Sequence, residues 1–131
     1  MMNKFFPEHL KYDKNYSWVK IEGDLITVGV NYLASKKVKE FVFIKLPEKG
    51  EDLKKGDVYV SLEAIKWSGH LTSPVSGKVI EVNKSLFSKP SKLNESPYEE
   101  WIMKMKVDDI DELNSLMDAS KVKDFYSEHL D

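Results

Sequence analysis

Lys66 is the side chain whose type and surroundings point most directly to chemistry. It lies in the run 62–70, LEAIKWSGH, and the sequence Pro74-Val75-Ser76-Gly77 follows eight residues later. The alternation on either side predicts a strand, a tight turn and a returning strand, with Lys66 at the apex. Glu63 stands three positions before the lysine. A primary amine held on a rigid turn is a group that a modifying enzyme can acylate.

A lysine that carries a covalent group must be exposed, must lie on a rigid turn and must have little bulk around it. We expect Lys66 to meet the first two requirements, because strands flank it and Pro74 and Gly77 fix the returning chain. The neighbouring Trp67 leaves the third requirement open. Local pattern alone is equally compatible with an ordinary solvated turn lysine that has no chemistry.

Met103-Lys104-Met105 is a second candidate, because Met-Lys-Met is typical of domains that carry biotin. No Pro-x-x-Gly return follows Lys104, and a predicted helix begins soon after it. We therefore interpret Lys104 as a surface residue of a strand in which the two methionines alternate with it.

The composition argues against several classes of function. All 20 basic residues are lysine, and the formal net charge is −2. Without arginine or a basic excess, there is no electrostatic case for binding nucleic acid or an anionic membrane. The absence of cysteine excludes disulfides, thiolate metal sites and cysteine nucleophiles. His9, His70 and His129 do not have the spacing of metal ligands.

With 131 residues, 41% of them hydrophobic, the chain is predicted to form one domain spanning residues 1–131. No apolar run is long enough to cross a bilayer. The first residues, Met1 to Glu8, are interrupted too soon for a signal peptide. We expect a cytoplasmic monomer.

Short alternating segments predict that most of the chain is β-structure. Residues 17–22 and 25–30 form a predicted hairpin around Gly23-Asp24, and Asn31 is the predicted cap of a short helix. The run 41–44, apolar on both faces, predicts a central strand. Further strands are predicted on both sides of the Lys66 turn, at 78–82 and at 101–107, whereas residues 1–15 and 83–100 are predicted to be irregular.

After residue 107 the apolar spacing becomes helical. Two stripes predict two helices, one with Ile110, Leu113, Leu116 and Met117, and one with Val122, Phe125, Tyr126 and Leu130. The predicted fold class is α+β and mainly β. We expect a flattened antiparallel β-sandwich or barrel hybrid with helices at its C-terminal end.

In several of these segments the chain resembles the H-protein family of the glycine cleavage system, whose members are lipoyl carriers. The resemblance covers roughly residues 10–130, in order and at the family's spacing. The segments that carry it are 18–24 (WVKIEGD), 26–30 (ITVGV), 42–47 (VFIKLP), Gly50, 63–66 (EAIK), 73–83 (SPVSGKVIEVN), 94–98 (NESPY) and 111–126.

This resemblance implies a fold of the lipoyl- and biotinyl-carrier kind, with lipoate in amide linkage on Lys66. Glu63 and Gly77 belong to the pattern that a lipoylating enzyme meets. The chain would be a carrier and not an enzyme, and the group that it carries by family default is the aminomethyl group released by glycine decarboxylation. Its implied partners are glycine decarboxylase, aminomethyltransferase and dihydrolipoyl dehydrogenase.

Three residues depart from the family pattern. Ser17 stands where a glutamate is common, His70 where an aspartate is usual, and Trp67 where a small residue usually follows the lysine. We expect these three to surround the arm, although each is also compatible with an ordinary strand or turn position. The segment 66–70 (KWSGH) of this chain resembles that of lipoate-binding paralogues that partner heterodisulfide-reductase-like complexes in sulfur oxidation. A sulfur carrier is therefore the alternative. An interaction module that is never modified is an alternative of another class.

Overall fold

The computed structural model describes residues 5–127. Its strands are β1 (Lys11–Tyr12), β2 (Ser17–Glu22), β3 (Leu25–Val30), β4 (Phe43–Lys45), β5 (Asp52–Leu53), β6 (Val58–Ala64), β7 (Trp67–Thr72), β8 (Gly77–Val82) and β9 (Met103–Val107). They form two antiparallel sheets that do not close into a barrel. One sheet has the order β1-β2-β3-β9-β8-β5 and the other the order β4-β6-β7.

Within the described residues, three short α-helices connect or flank the sheets: α1 (Tyr32–Lys37), α2 (Lys92–Glu95) and α3 (Ala119–Ser127). Single stretches of 3₁₀-helix cover Lys84–Phe87 and Ile110–Ser115. The predicted cap of α1 is confirmed, because the Asn31 side chain accepts a hydrogen bond from the backbone N–H of Ala34 at 3.1 Å. None of the helices within residues 5–127 is long and apolar enough to span a membrane.

Apolar side chains from both sheets meet in one buried cluster. The six-stranded sheet contributes Val19, Ile26, Val28, Met103 and Met105, and the three-stranded sheet contributes Ile44, Val60, Leu62 and Leu71. A second cluster forms where α3 covers the start of the chain, with Phe6, Leu10, Tyr12, Trp18, Val122 and Tyr126. Burial of these two apolar sets is the main source of stability that the fold offers.

The predicted mainly-β fold with C-terminal helices is confirmed, and so is the hairpin of β2 and β3, whose register runs from Ser17 opposite Val30 to Glu22 opposite Leu25. Gly23 takes a left-handed φ of 70° in its turn, a conformation that glycine adopts without steric cost. Lys104 lies on β9 as predicted, within 3.8 Å of the Glu81 carboxylate and over the ring of Trp101, while Met103 and Met105 are fully buried.

The prediction of a central strand at 41–44 is wrong both in the bounds of the strand and in its place within the sheet. The strand begins at Phe43 and forms an edge of the three-stranded sheet, in which β6 is central. Val42 and Phe43 are each about half exposed, at 51% and 52%. The apolar run therefore did not indicate a central strand: within residues 5–127, β4 pairs on one side only, with β6, and Val42 and Phe43 lie at the surface.

Other details of the structure differ from the sequence prediction or were not predicted. The register of β6 against β7 shifts between Val58 and Val60, and Val58 is exposed whereas Val60 and Leu62 on the same strand are buried. The first C-terminal helix is a 3₁₀ stretch with an exposed Ile110, and the second is α3. Strands β1 and β5 and helix α2 were not predicted, and Leu130 and His129 lie outside the described residues.

Candidate functional site at the Lys66 hairpin

The turn between β6 and β7 consists of two residues. Ala64 pairs with Trp67, which leaves Ile65 and Lys66 as the connection. The Ile65 side chain is 86% exposed and Lys66 is also exposed. No hydrogen bond or ion pair joins Lys66 to another residue in the part of the chain that the structure describes. The predicted strand–turn–strand with a free amine at its tip is thus confirmed as geometry.

Glu63 lies on β6 close to this tip, between two neighbouring strands. It is opposite Phe43 of β4 and Ser68 of β7, and its side chain is exposed. Its backbone carbonyl accepts the N–H of Val42 at 2.7 Å. The backbone of Glu63 therefore belongs to the middle strand of the sheet, which fixes its position relative to the hairpin, and its carboxylate faces solvent.

Gly77 lies in the other sheet, at the start of β8, where it is opposite Leu53 and Val107. It is buried, and a Cβ atom at this position would collide with the backbone carbonyl of Lys106. Close packing of two backbones is therefore sufficient to require glycine here. Recognition of Gly77 by a lipoylating enzyme stays a prediction.

Trp67, directly after the lysine, folds its indole over Gly69 of the same strand. A Cβ atom on Gly69 would lie 2.5 Å from Cζ2 of the indole. The ring also packs against Phe41, with 6.0 Å between the ring centroids and a tilt of 55°. The indole remains 41% exposed. Gly69 thus provides the space in which the tryptophan lies across the surface of β7.

Two cavities adjoin this indole. The tip cavity has a volume of about 440 Å³ and is lined by Lys37, Val38, Lys39, Glu40, Ala64, Ile65, Lys66 and Trp67. The β7 groove has a volume of about 150 Å³ and is lined by Tyr16, Ala34, Lys37, Val38, Phe41, Leu62, Trp67, Gly69, His70 and Leu71. Lys66 borders the tip cavity only, whereas Trp67 borders both.

Residues 37–41, from the end of α1 onward, form the wall that faces the hairpin, and no prediction from sequence placed them at the site. Asn94 of α2 holds this wall by accepting the N–H of Phe41 at 2.9 Å and by donating to the carbonyls of Ser35 and Val38, each at 2.9 Å. The only local signal for this wall is the charged run 36–40 that follows the capped helix. This charged run does not indicate the contact with Asn94, which lies more than fifty positions later in the sequence.

His70 and Ser17, two of the three departures from the family pattern, have different surroundings. His70 is exposed on β7, opposite Ser61, and borders the β7 groove. Ser17 is fully buried, and its hydroxyl lies 2.8 Å from the Tyr59 hydroxyl. The structure therefore brings His70 and Trp67 to the hairpin site, and gives Ser17 no exposed surface there.

The neighbouring Tyr16 does border the β7 groove, and an aspartate fixes its backbone. Tyr16 has a φ of 71°, a strained value for a residue other than glycine. Oδ1 of Asp13 accepts the N–H of Asn15 at 2.8 Å and that of Ser17 at 2.9 Å. Burial raises the pKa of Asp13 to about 6, although these two N–H groups and the charge of Lys55 favour the ionised form.

Comparisons with known proteins agree with this geometry. The family model described as "Glycine cleavage H-protein" matches residues 10–129. The glycine cleavage system H protein of Staphylococcus carnosus (strain TM300) is 40% identical over 123 residues, which are 93% of this chain and 98% of that protein. The corresponding protein of Staphylococcus haemolyticus (strain JCSC1435) is 39% identical over the same shares of the two chains.

A solved structure extends the agreement to the fold. The crystal structure of a glycine cleavage system H protein from Mycobacterium marinum superposes with a TM-score of 0.84 at 26% identity, covering 93% of this chain and 99% of that one. The chain is therefore a small protein of two antiparallel sheets that exposes a lysine on a tight hairpin. It belongs to the glycine cleavage H-protein family. The predicted family and its lipoyl carrier function are confirmed, and the sulfur-carrier alternative is not favoured.

Proposed function

We propose that Lys66 is the residue that carries lipoate, in amide linkage to its ε-amine. The observation that carries this proposal is the position of Lys66 in a two-residue turn closed by the Ala64–Trp67 pair, without a hydrogen-bond or ion-pair partner among residues 5–127. A fixed turn presents the same shape to a modifying enzyme each time. An amine without a partner loses no existing interaction when it is acylated.

The residues around the tip fit a lipoyl group. Val38, Ala64, Ile65 and Trp67 give the tip cavity an apolar lining suited to a hydrocarbon chain and a small sulfur ring. The chain has no cysteine. Lipoate, when bound, supplies the dithiol chemistry that this protein's own side chains lack.

The protein's own residues would then position the arm and keep it accessible. The stiff β6–β7 hairpin holds the attachment point, and the wall of residues 37–41 limits the directions in which the arm can extend. Lys37, Lys39 and Glu40 place charges of both signs beside the cavity. Glu40, which borders the tip cavity, would offer a carboxylate to an ammonium of the cargo, whereas Ser17 and His70 carry no carboxylate.

Family membership implies partner enzymes of the glycine cleavage system. We infer that a lipoylating enzyme loads Lys66, with Glu63 exposed for its recognition. The enzymes that would use the loaded carrier are glycine decarboxylase, aminomethyltransferase and dihydrolipoyl dehydrogenase. In this scheme the chain is a carrier component without a reaction of its own. Residues 5–127 contain no cluster of three or more metal-ligating side chains.

Intact-mass analysis of protein treated with lipoate, ATP and a lipoate ligase tests the attachment. We expect an increment of about 188 Da, the mass that amide-linked lipoate adds. Lys66→Arg should abolish it, and Lys104→Arg, the same change at a lysine on β9, should leave it unchanged. An increment that survives Lys66→Arg overturns the assignment. Protein isolated from its own organism without any increment supports the unmodified interaction module instead.

The carrier role needs a second assay, with the lipoylated protein and purified partner enzymes. We expect it to accept an aminomethyl group from glycine decarboxylase and to deliver it to the tetrahydrofolate-dependent aminomethyltransferase. The Lys66→Arg variant is the control, because it retains the fold but has no arm. Failure of transfer by fully lipoylated protein would reject this cargo.

A further inference from the structure

Lys37 borders both cavities beside the hairpin. The residues that the tip cavity and the β7 groove share are Lys37, Val38 and Trp67, and of these Lys37 is the one that carries a charge. An extended lipoyl-lysine is about 14 Å long, which is enough to enter either cavity from the hairpin tip. An arm attached to Lys66 therefore lies in a cavity that Lys37 borders, whichever of the two it occupies.

Tyr16 holds the Lys37 ammonium beside the groove. Nζ of Lys37 lies 5.4 Å from the centroid of the Tyr16 ring and donates a long hydrogen bond of 3.5 Å to the Tyr16 hydroxyl. The Tyr16 ring stacks on Tyr126, with 5.2 Å between the ring centroids, and the Tyr16 N–H donates to the Tyr126 hydroxyl at 3.0 Å. These contacts restrict an otherwise exposed lysine side chain to the groove side of α1.

The ionisable groups at both cavities are mainly cationic once Lys66 is acylated. The tip cavity then has two lysines, Lys37 and Lys39, and one carboxylate, Glu40. The described lining of the β7 groove contains no carboxylate, and its ionisable side chains are Tyr16, Lys37 and His70.

Two acidic residues on adjoining elements, Asp13 and Glu63, line neither cavity. Oδ1 of Asp13 accepts the backbone N–H groups of Asn15 and Ser17, and the Glu63 side chain is exposed on β6. The surroundings of the arm therefore favour a negative charge on it.

We propose that Lys37 stabilises the reduced arm of Lys66 in its thiolate form. This inference rests on the lipoyl attachment proposed above. When a thiol of the reduced arm ionises, the sulfur keeps the electron pair of the S–H bond and the proton goes to water. A nearby ammonium favours the charge that remains, and Lys37 supplies one at both cavities. Because the thiolate is the reacting form of a thiol, Lys37 increases the fraction of arms that are ready to react at a given pH.

The test is the pH dependence of alkylation of the reduced, fully lipoylated protein by iodoacetamide, followed by intact mass. Because the chain has no cysteine, the alkylated thiols are those of the arm. We expect Lys37→Gln to raise the apparent pKa of the arm thiol by at least about 0.3 unit relative to wild type. Lys37→Arg retains the charge and should match wild type. His70→Asp places a carboxylate at the groove and should also raise the thiol pKa.

Lys36→Gln is the matched control, because Lys36 is the neighbouring lysine of α1. It also lies over a tyrosine, with Nζ 5.7 Å from the centroid of the Tyr32 ring, but it borders neither cavity. This variant loses the same charge and should keep the thiol pKa within about 0.1 unit of wild type.

Salt provides a readout that a merely structural role of Lys37 would not change. In about 1 M salt, the difference in thiol pKa between wild type and Lys37→Gln should fall by at least about half, since salt screens exposed charges. A difference caused by altered packing of Tyr16 would persist.

The outcomes distinguish this inference from the proposed function. If Lys66 takes up no lipoate, the attachment is wrong and the role of Lys37 falls with it. If lipoate is attached but Lys37→Gln has the thiol pKa of wild type, the attachment stands and the role of Lys37 is wrong. An equal rise in Lys36→Gln, or a difference that salt does not reduce, overturns the role of Lys37 as well.

Discussion

The hydroxyl groups of Ser17 and Tyr59 lie 2.8 Å apart in a buried hydrogen bond that joins the two sheets. Ser17 belongs to β2 of the six-stranded sheet and Tyr59 to β6 of the three-stranded sheet. Burial raises the pKa of Tyr59, so its hydroxyl stays protonated. A polar pair in this position is favourable only while both partners are present, because a buried hydroxyl without a partner carries a desolvation cost.

Ser17→Ala should lower the free energy of unfolding by about 1–3 kcal/mol, because it leaves the Tyr59 hydroxyl buried without its partner. Tyr59→Phe should lower the free energy of unfolding by a similar amount, because it leaves the buried Ser17 hydroxyl without its partner. The double variant should cost less than the sum of the two, which a double-mutant cycle in urea measures directly. Additive effects would contradict the pairing. The extent of lipoylation should not change in folded Ser17→Ala protein, because Ser17 has no exposed surface.

The same pair shows why part of the site could not be predicted from sequence. The exchange of a family glutamate for Ser17 suggested a change in the surroundings of the arm, but the Ser17 hydroxyl is buried against a partner 42 positions away in the other sheet. A contact between two sheets whose residues are this far apart in sequence leaves no periodic pattern in a single sequence. The position of β4 at an edge has the same origin, since a local apolar run does not state how many strands pair with it.

Features encoded by neighbouring residues were predictable. The Asn31 cap, the β2–β3 hairpin and the β6–β7 hairpin each depend on turn chemistry and alternation within about a dozen residues, and all three are present. The wall at residues 37–41 was missed because Asn94 places it. The part of the site that one hairpin forms could therefore be predicted from sequence, whereas the part that distant segments complete could not.

Asp13 predicts a specific dependence of stability on pH. Its pKa is raised from 3.8 to about 6 by burial. Between about pH 4 and pH 6, folded protein holds a proton at Asp13 that the unfolded chain has lost, so the free energy of unfolding falls as the pH rises through this window. For a shift of this size, the loss is about 2–3 kcal/mol. The contribution is fully present below about pH 4 and absent above about pH 6.

Comparison of wild type with Asp13→Asn isolates this contribution, because the asparagine oxygen can still accept the N–H groups of Asn15 and Ser17. Unfolding in urea at pH 4 and pH 7 should show wild type losing about 2–3 kcal/mol relative to the variant. Asp24→Asn controls for the removal of one negative charge at an exposed turn. A relative stability of wild type that is constant or rises with pH would falsify the buried state of this carboxyl group.

Gly77→Ala should destabilise the fold by about 1–3 kcal/mol, because the new Cβ atom meets the Lys106 carbonyl across the β8–β9 pair. Thermal and urea unfolding measure this cost, with Lys78→Ala as the exposed neighbouring control. Lipoylation of Gly77→Ala should then be measured below its unfolding transition. Normal lipoylation of the folded variant would show that Gly77 is needed for packing alone. A variant as stable as wild type would contradict the collision between the new Cβ atom and the Lys106 carbonyl.

The Asn94 side chain connects α2 to α1 and to the wall of the tip cavity through three hydrogen bonds, one to Ser35 and the others to Val38 and Phe41. Asn94→Ala removes all three and should lower the free energy of unfolding by about 2–4 kcal/mol. The substitution should loosen the backbone around Phe41 more than it loosens the rest of the fold. Amide hydrogen exchange at Phe41 should accelerate more than exchange at Val79, whose N–H is bonded to the Glu51 carbonyl elsewhere.

Asn83→Ala is the matched control for Asn94→Ala, because Asn83 also donates its side-chain amide to a backbone carbonyl, that of Trp101 at 2.8 Å. This variant should lower global stability without selective acceleration at Phe41. If the two variants accelerate exchange at Phe41 and Val79 in the same ratio, then Asn94 does not hold the wall independently of the fold. If only Asn94→Ala shows the selective effect, the wall beside Lys66 is set by α2, whose sequence is far from the hairpin.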